Sequence, residues 1–472
     1  MEIDLTKGKI APALIKLALP IMGASFIQMA YNLTDMIWIG RLGSSEVASV
    51  GSAGFFIWLA FAFIITAKIG AEVGIAQSIG RKDSKSAEKF AQNSIQLVIF
   101  MSLMYSIFTF YFSDFLISIF NIQDKVVNSN AILYLRVATL SLPFTFFNPV
   151  MSGIYNGSGD SRMPFYVSLT GLIFNAILDP FLIYGLGNFP RLGVKGAAIA
   201  TVLSQIFVTI QFILIIKYKK VNIPKFSILK KPDFKYISKI IKIGIPIGVQ
   251  SGLFTIFSII LARIIAKWGP MPIAIQKVGA QIEAISWTTA SGLSSALSAI
   301  VGQNFGAKKW GRIWRTYYIS LGITSALGVI TSSLLIFWGK FLFLLFIPDP
   351  EALSMGADYM RILGFSQLFM MVEIMTAGGF NGLGKTMFPA VISIFTTSLR
   401  IPLAIFLSSK LLLGLNGVWW SISSMSILCG IILVIGFMIL ISKHPEIGKD
   451  FKINQKIFKW DIKFIRDKKA IK

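Results

Sequence analysis

The sequence predicts an all-α polytopic membrane protein, with twelve transmembrane helices in two six-helix lobes related by an internal parallel repeat. Three observations carry that prediction. The 472 residues are 55% hydrophobic with a mean hydropathy of +0.72, too apolar for a soluble protein of this length. The apolar residues fall in about a dozen runs, each near the roughly 20 residues that a bilayer-spanning helix needs. Motifs of the first half return in the second at a nearly constant spacing.

The spans fall near 13–40, 47–78, 91–112, 131–156, 164–186, 194–217, 240–265, 273–300, 314–338, 357–380, 388–412 and 416–441. The first run is too long for a signal peptide and lacks a small-residue cleavage site. Lys and Arg number 45 against 21 acids, a net charge of +24. In a soluble domain that excess suggests nucleic acid. Here the bases sit in short loops, which points to cytoplasmic loops facing anionic headgroups and not to nucleic acid. They gather at Lys7–Lys9, Arg81-Lys82, 217–242, Lys308–Arg312 and after Lys443, on alternate loops, whereas Asp349-Pro350-Glu351 faces the other side. The positive-inside rule then puts both termini in the cytoplasm. The expected organisation is an N-lobe over 1–216, a basic cytoplasmic linker over 217–239, a C-lobe over 240–441 and a basic tail over 442–472. The stretch 217–242 holds nine lysines and one acid, Asp233. The tail alternates bases with Phe451, Ile453, Phe458 and Trp460, so it lies either on the inner leaflet or in solvent.

The repeat is visible residue by residue. Ile15–Ile21 around Pro20 matches Ile241–Ile247 around Pro246, and Gln77-Ser-Ile-Gly-Arg-Lys82 matches Gln303-Asn-Phe-Gly-Ala-Lys308, both 226 residues apart. Tyr134-Leu-Arg136 matches Tyr359-Met-Arg361, and Asn156-Gly-Ser-Gly-Asp160 matches Asn381-Gly-Leu-Gly-Lys385, both 225 apart. An even number of spans in each half makes the repeats parallel, with a pseudo-two-fold axis along the membrane normal. The Asn-Gly-X-Gly loops lack the lysine-serine pattern of a phosphate loop and read as tight turns.

Asp35 lies in the first span with no Lys or Arg within one helical turn, at a cost of roughly 2.5–3.5 kcal/mol on insertion scales. It must face a polar interior, share a cation or carry a proton; its plainer role is helix packing. Gln28, Tyr31 and Asn32 join it in one polar stripe. In the fifth span Asn175 and Asp179 share a face, and Pro180 disturbs the helix beside them and frees a carbonyl. Carboxylate, amide and carbonyl oxygens are hard ligands, suited to Na⁺ or H⁺. Thr201, Ser204 and Gln205 make a small polar face in the sixth span. The second half differs: Arg400 stands for Asn175 and Ala404 for Asp179. Arg400 has Glu373 and Glu283 as prospective partners, in a structural ion pair or a substrate role. Met370, Met371, Met375 and 40 phenylalanines either line an adaptable apolar pocket or face lipid and neighbouring helices. The single Cys429 forms no intrachain disulfide, and His444 has no histidine partner. No cofactor and no metal are expected beyond Na⁺ at Asp35, Asn175 and Asp179. No nucleophile–base cluster marks an enzyme.

Taken together, the Pro20 and Pro246 span starts, Asp35, Gln77-Ser-Ile-Gly, Gln303-Asn-Phe-Gly-Ala-Lys, the Asn-Gly-X-Gly loops before Pro164 and Pro389, and Leu192–Thr201 resemble the multidrug and toxic compound extrusion (MATE) family of secondary transporters. The resemblance covers about residues 10–441. It implies an inner-membrane antiporter that expels organic, often cationic, compounds in exchange for Na⁺ or H⁺. One prokaryotic branch of that family builds its ion site from positions matching Asp35, Asn175, Asp179 and Thr201. Another uses a Glu in the seventh span, where this chain reads Gln250-Ser251-Gly252-Leu253-Phe254. The substrate-cavity candidates are Gln28, Tyr31, Asn32, Gln250, Glu283, Met370, Glu373 and Arg400. The expected partners are a small organic molecule and the bilayer, and a two-lobe monomer suffices. The alternative is a lipid-linked oligosaccharide flippase of the same superfamily, which needs a cationic cavity.

Overall fold

The computed structural model describes residues 4–187, 189–218, 223–224, 226–346, 349–409 and 412–446. The tail from 447 on, and Lys219, Lys220 and Lys225 of the linker, lie outside the described residues. Apolar runs cut by glycine, proline and short polar stretches fold as α1 (Ile10–Gly40), α2 (Ser44–Gly80), α3 (Ser84–Tyr111), α4 (Ser113–Ser118), α5 (Lys125–Thr139), α6 (Leu142–Ser158), α7 (Arg162–Tyr184), α8 (Val194–Tyr218), α9 (Phe234–Ile265), α10 (Pro270–Gly306), α11 (Trp310–Leu344), α12 (Pro350–Gly382), α13 (Met387–Leu407) and α14 (Leu415–Lys443).

Ten of these helices are long and apolar enough to cross a membrane, and α5 with α6 makes an eleventh, bent by 51°. The twelfth is α10, whose 37 residues are ample in length but carry Gln276, Lys277, Gln281 and Glu283. The sequence reads 131–156 as one continuous span. The chain instead breaks at Leu140-Ser141, because Pro143 lacks an amide and its ring opposes the carbonyl four residues back. The third span starts earlier than hydropathy indicates. Asp83 caps α3 by accepting the Ser86 amide at 3.0 Å, and the polar Gln92, Asn93 and Ser94 that mask its first turns are buried.

Packing divides the chain into two compact units. One comprises Lys16–Ile79 and Asp83–Thr255; the other comprises Asp4–Ile15, Gly80–Lys82 and the chain from Ile256 on. Each is built on the same device. A Cβ on Gly153 or Gly157 of α6 would stand 2.9 Å from the Lys68 carbonyl oxygen or 2.5 Å from that of Glu72. In the second unit, a Cβ on Gly378 or Gly382 of α12 would stand 2.2 Å from the Ser294 carbonyl oxygen or 2.6 Å from that of Ser298. Only glycine permits such backbone approach. Both helices end in the same turn. Gly159 (φ 90°) and Gly384 (φ 72°) are left-handed, and the Asp160 and Lys385 amides donate to Tyr155 and Phe380. The Asn-Gly-X-Gly motifs are therefore helix ends, as the sequence suggests. Phe100, Met104 and Ile107 on α3, and Phe337 and Phe341 on α11, are exposed in rows suited to lipid.

The described part of the basic linker folds back on α3. Gln96 donates to the carbonyls of Ile228 and Lys230 at 2.8 and 2.7 Å, and Asn93 accepts the Asp233 amide at 2.7 Å. Lys89 bonds Asp233 at 2.8 Å and holds its carboxyl below the usual range.

Candidate functional site

In the first unit, three helices converge on the polar residues singled out from sequence. Tyr184 of α7 donates its hydroxyl to the Trp38 carbonyl at 2.6 Å, with the two rings edge to face at 6.0 Å, so α1 is pinned to α7 one turn beyond Asp35. Close approach of α8 to α7 needs Gly196, whose Cβ would lie 2.2 Å from the Leu182 carbonyl oxygen. Within this frame the stripe on α1 splits. Tyr31 is buried and Asp35 half-buried, while Gln28 and Asn32 are exposed on the unit.

Asn175 and Asp179 are fully buried on α7, where Asn175 Nδ2 donates to Asp179 Oδ1 at 3.4 Å. Thr201 Oγ1 of α8 donates to Asp35 Oδ2 at 3.5 Å. The Asp35 and Asp179 carboxylates lie within direct interaction range of one another. Both hydrogen bonds are long. Asp35 Oδ1, Asn175 Oδ1 and Asp179 Oδ2 are buried with no hydrogen-bond partner among the described residues, as are the hydroxyls of Tyr31 and Ser204. Buried acceptors are normally satisfied. Two adjacent carboxylates in a low-dielectric setting need a compensating positive charge, either a cation or a proton. The donor set fits either: all its oxygens are hard, and no soft ligand is present. No cluster of three or more His, Cys, Asp or Glu residues that could hold a metal ion is found among the described residues.

Tyr134 of α5 also stands near both carboxylates, a neighbour that the site reading from sequence missed. Its repeat partner signals it. Tyr359 of α12, from the matched Tyr-X-Arg motif, donates to Glu283 Oε1 at 2.8 Å in the second unit. Gln205 is drawn elsewhere, accepting from Asn148 at 2.9 Å.

The second unit holds a separate polar group. Gln367 donates to Glu283 Oε2 at 3.0 Å, so both oxygens of this buried acid are satisfied. Glu373 accepts from Ser393 at 3.1 Å, and Arg400 donates to Ser426 at 2.9 Å. The ion pair expected between Arg400 and Glu373 or Glu283 does not form among the described residues; the Ser393 hydroxyl donates to Glu373 and the Ser426 hydroxyl accepts from Arg400 instead. Met371 and Met375 are fully buried core residues, which leaves Met370, half-buried, as the methionine available to a cavity. Gln250 on α9, which belongs to the first unit, is half-buried.

The MatE family profile matches residues 20–181 and 246–406, one block in each half. A probable multidrug resistance protein NorM of Thermotoga maritima is 30% identical over 417 residues, covering 87% of this chain and 88% of the relative. The multidrug export protein MepA of Staphylococcus haemolyticus is 24% identical, with 90% and 92% covered. Among solved structures, a MOP superfamily transporter from Pyrococcus furiosus superposes with a TM-score of 0.86 at 23% identity, covering 93% of this chain and 97% of that one. The outward-facing conformation of a multidrug resistance MATE family transporter superposes with 0.84 at 24% identity, covering 92% and 96%. With both halves matched and the twelve-span repeat in place, the chain belongs to the MATE family of multidrug transporters.

Proposed function

We propose that this protein is an antiporter that exports lipophilic organic cations in exchange for Na⁺ or H⁺ by alternating access, with 1–216 and 240–441 as its two lobes. It works as a monomer in the plasma membrane with both termini cytoplasmic. The observation that carries this reading is the set of buried, unsatisfied oxygens on Asp35, Asn175 and Asp179. Filling that set with a cation draws α1 and α7 together. Thr201 orients Asp35 through its hydroxyl. A ligand biases such an equilibrium only by its differential affinity for the two states, so ion and substrate must favour opposite ones. Relatives bearing multidrug names support drug-like cargo. The flippase alternative is not favoured: Arg400 shares its polar group with two acids, Glu283 and Glu373, and the group in the first unit is built on two more, Asp35 and Asp179.

The test is dye efflux from proteoliposomes with Na⁺ and H⁺ gradients imposed separately, comparing wild type with Asp35→Asn and Asp179→Asn. Gradient-driven efflux in wild type and its loss in both variants, at normal expression, supports the reading, and the driving gradient names the ion. Full activity in both variants overturns it.

A further inference from the structure

A pocket at the amino end of α11 belongs to none of the chemistry above. Its volume is about 360 Å³, and it is lined by Lys308, Lys309, Arg312 and Arg315, with Trp310 and Ile10 as apolar wall. Among the described residues, no carboxylate lines it.

Two of the four cations are locked in place by the amino-terminal turn. Arg312 donates through Nε, Nη1 and Nη2 to the carbonyls of Leu5, Gly8 and Lys7 at 3.3, 2.7 and 2.7 Å. Lys309 Nζ donates to the Thr6 carbonyl at 2.7 Å and to its hydroxyl at 3.2 Å. Leu5 anchors this turn, fully buried, and Asn304 donates to its carbonyl at 3.0 Å. These partners are neutral, so they orient the cations without cancelling their charge. The acid of the turn, Asp4, acts on Arg312 but is itself engaged by Thr6 at 2.7 Å and Lys7 at 3.5 Å.

The internal repeat shows that this is a specialisation. Lys82 and Lys308 are equivalent, both left-handed, with φ 59° and 55°. In the first half the next residue is Asp83, which caps α3 with its carboxylate. In the second half it is Lys309, which offers α11 no side-chain cap. Negative charge supplied by the protein in one half is absent from the same position in the other, and a cationic pocket stands there instead. Trp310, Trp314 and Tyr318 follow within two turns, the aromatic composition of a span end at headgroup level.

We infer that this pocket binds a phosphate-bearing anion, the headgroup phosphate of an anionic phospholipid. Inorganic phosphate shares the charge chemistry but gains nothing from the wall of Ile10 and Trp310. The inference is independent of which ion drives transport.

The test uses the full-length protein in detergent. Native mass spectrometry counts retained phosphatidylglycerol, and thermal unfolding is titrated with phosphatidylglycerol, phosphatidylcholine or inorganic phosphate. Replacing Lys308→Gln with Arg315→Gln weakens phosphatidylglycerol binding roughly 30-fold, about fivefold per cation. The charge-conserving pair Lys308→Arg with Arg315→Lys retains binding, which separates lost charge from lost folding. Neutralising the first-half bases, Lys82→Gln with Lys85→Gln, leaves binding unchanged. Undiminished binding in the first double variant overturns the site. So does an equal loss on neutralising Lys82 and Lys85, which reduces the effect to general surface charge. Equal stabilisation by phosphatidylcholine or by inorganic phosphate overturns the assignment to an anionic lipid.

Discussion

If the Asp35–Asn175–Asp179 set is an ion site, the ion must stabilise the folded protein, and the stabilisation must vanish with the carboxylates. Three buried oxygens lack partners there. A buried acceptor left unsatisfied costs about 1–3 kcal/mol, so the three oxygens leave about 3–9 kcal/mol for a ligand to recover. Dehydrating the cation consumes part of that. At a hundredfold excess over its Kd, a ligand that binds only the folded state adds about 2.7 kcal/mol. Asp179→Asn removes one of the two carboxylates at a fully buried position and should shrink the sodium effect well below the wild-type value, because half of the negative charge that attracts the cation is lost with a hard oxygen. The assay is thermal unfolding of purified protein in NaCl against choline chloride at fixed ionic strength, for wild type, Asp35→Asn and Asp179→Asn. If the proton is the coupling ion, pH replaces sodium as the variable and the same two variants lose the response. Identical sodium and pH responses in all three proteins would refute the reasoning.

Three further outcomes follow from the geometry. Asp233 is held below the ordinary carboxylate range by Lys89, so its contribution to linker docking is present above the unfolded value near pH 4 and is lost as pH falls through the lower folded value. Hydrogen exchange over residues 228–236 should therefore stay slow at neutral pH and rise only in acid, and Asp233→Asn should raise it at neutral pH. Gly157→Ala puts a Cβ 2.5 Å from the Glu72 carbonyl oxygen and should cost about 1–3 kcal/mol, whereas Gly252→Ala meets nothing within 4 Å and should be neutral or gain up to about 1 kcal/mol. Paired thermal melts check both. Tyr359→Phe removes the 2.8 Å hydrogen bond to buried Glu283 and should cost about 1–3 kcal/mol while leaving the sodium response of the first unit intact, measured by the same melts.

Much of this architecture is legible in one sequence because the membrane restricts what a chain can do. A run of apolar residues must be a helix, and bases mark its loops. The legibility fails where a helix is lined with polar groups. Gln92, Asn93 and Ser94 are buried on α3, and α10 buries Glu283, Gln303 and Asn304, so hydropathy understates both. It fails at Leu140-Ser141 because a proline kink does not interrupt an apolar run. In the candidate site, Asp35 and Asp179 stand out because an intramembrane carboxylate is rare. Tyr134 does not, since a tyrosine on a helix is ordinary until folding brings it beside a charge. The expected Arg400 ion pair failed for a related reason: spacing along the chain indicates which residues share a region, but hydroxyls such as Ser393 and Ser426 decide the contacts.

The two halves keep one scaffold and divide its chemistry. Asp35, Asn175 and Asp179 correspond through the repeat to Leu261, Arg400 and Ala404, and Leu261 and Ala404 are buried within an apolar core cluster. The glycine contacts that fix helix spacing are retained at 153, 157, 378 and 382, so drift did not erase the second half; the polar positions changed while the packing positions held. The satisfaction of the acids differs in the same sense. Glu283 has a donor for each oxygen, from Tyr359 and Gln367, whereas the oxygens around Asp35 and Asp179 are left open. A satisfied buried acid gains little from a cation, and an unsatisfied pair gains a great deal. If the proposed ion site is right, one half changes its occupancy while the other presents a fixed electrostatic surface. An exchanger needs ion and substrate to favour opposite states, and a fillable acid pair in one half beside a satisfied acid in the other is one way to set that opposition.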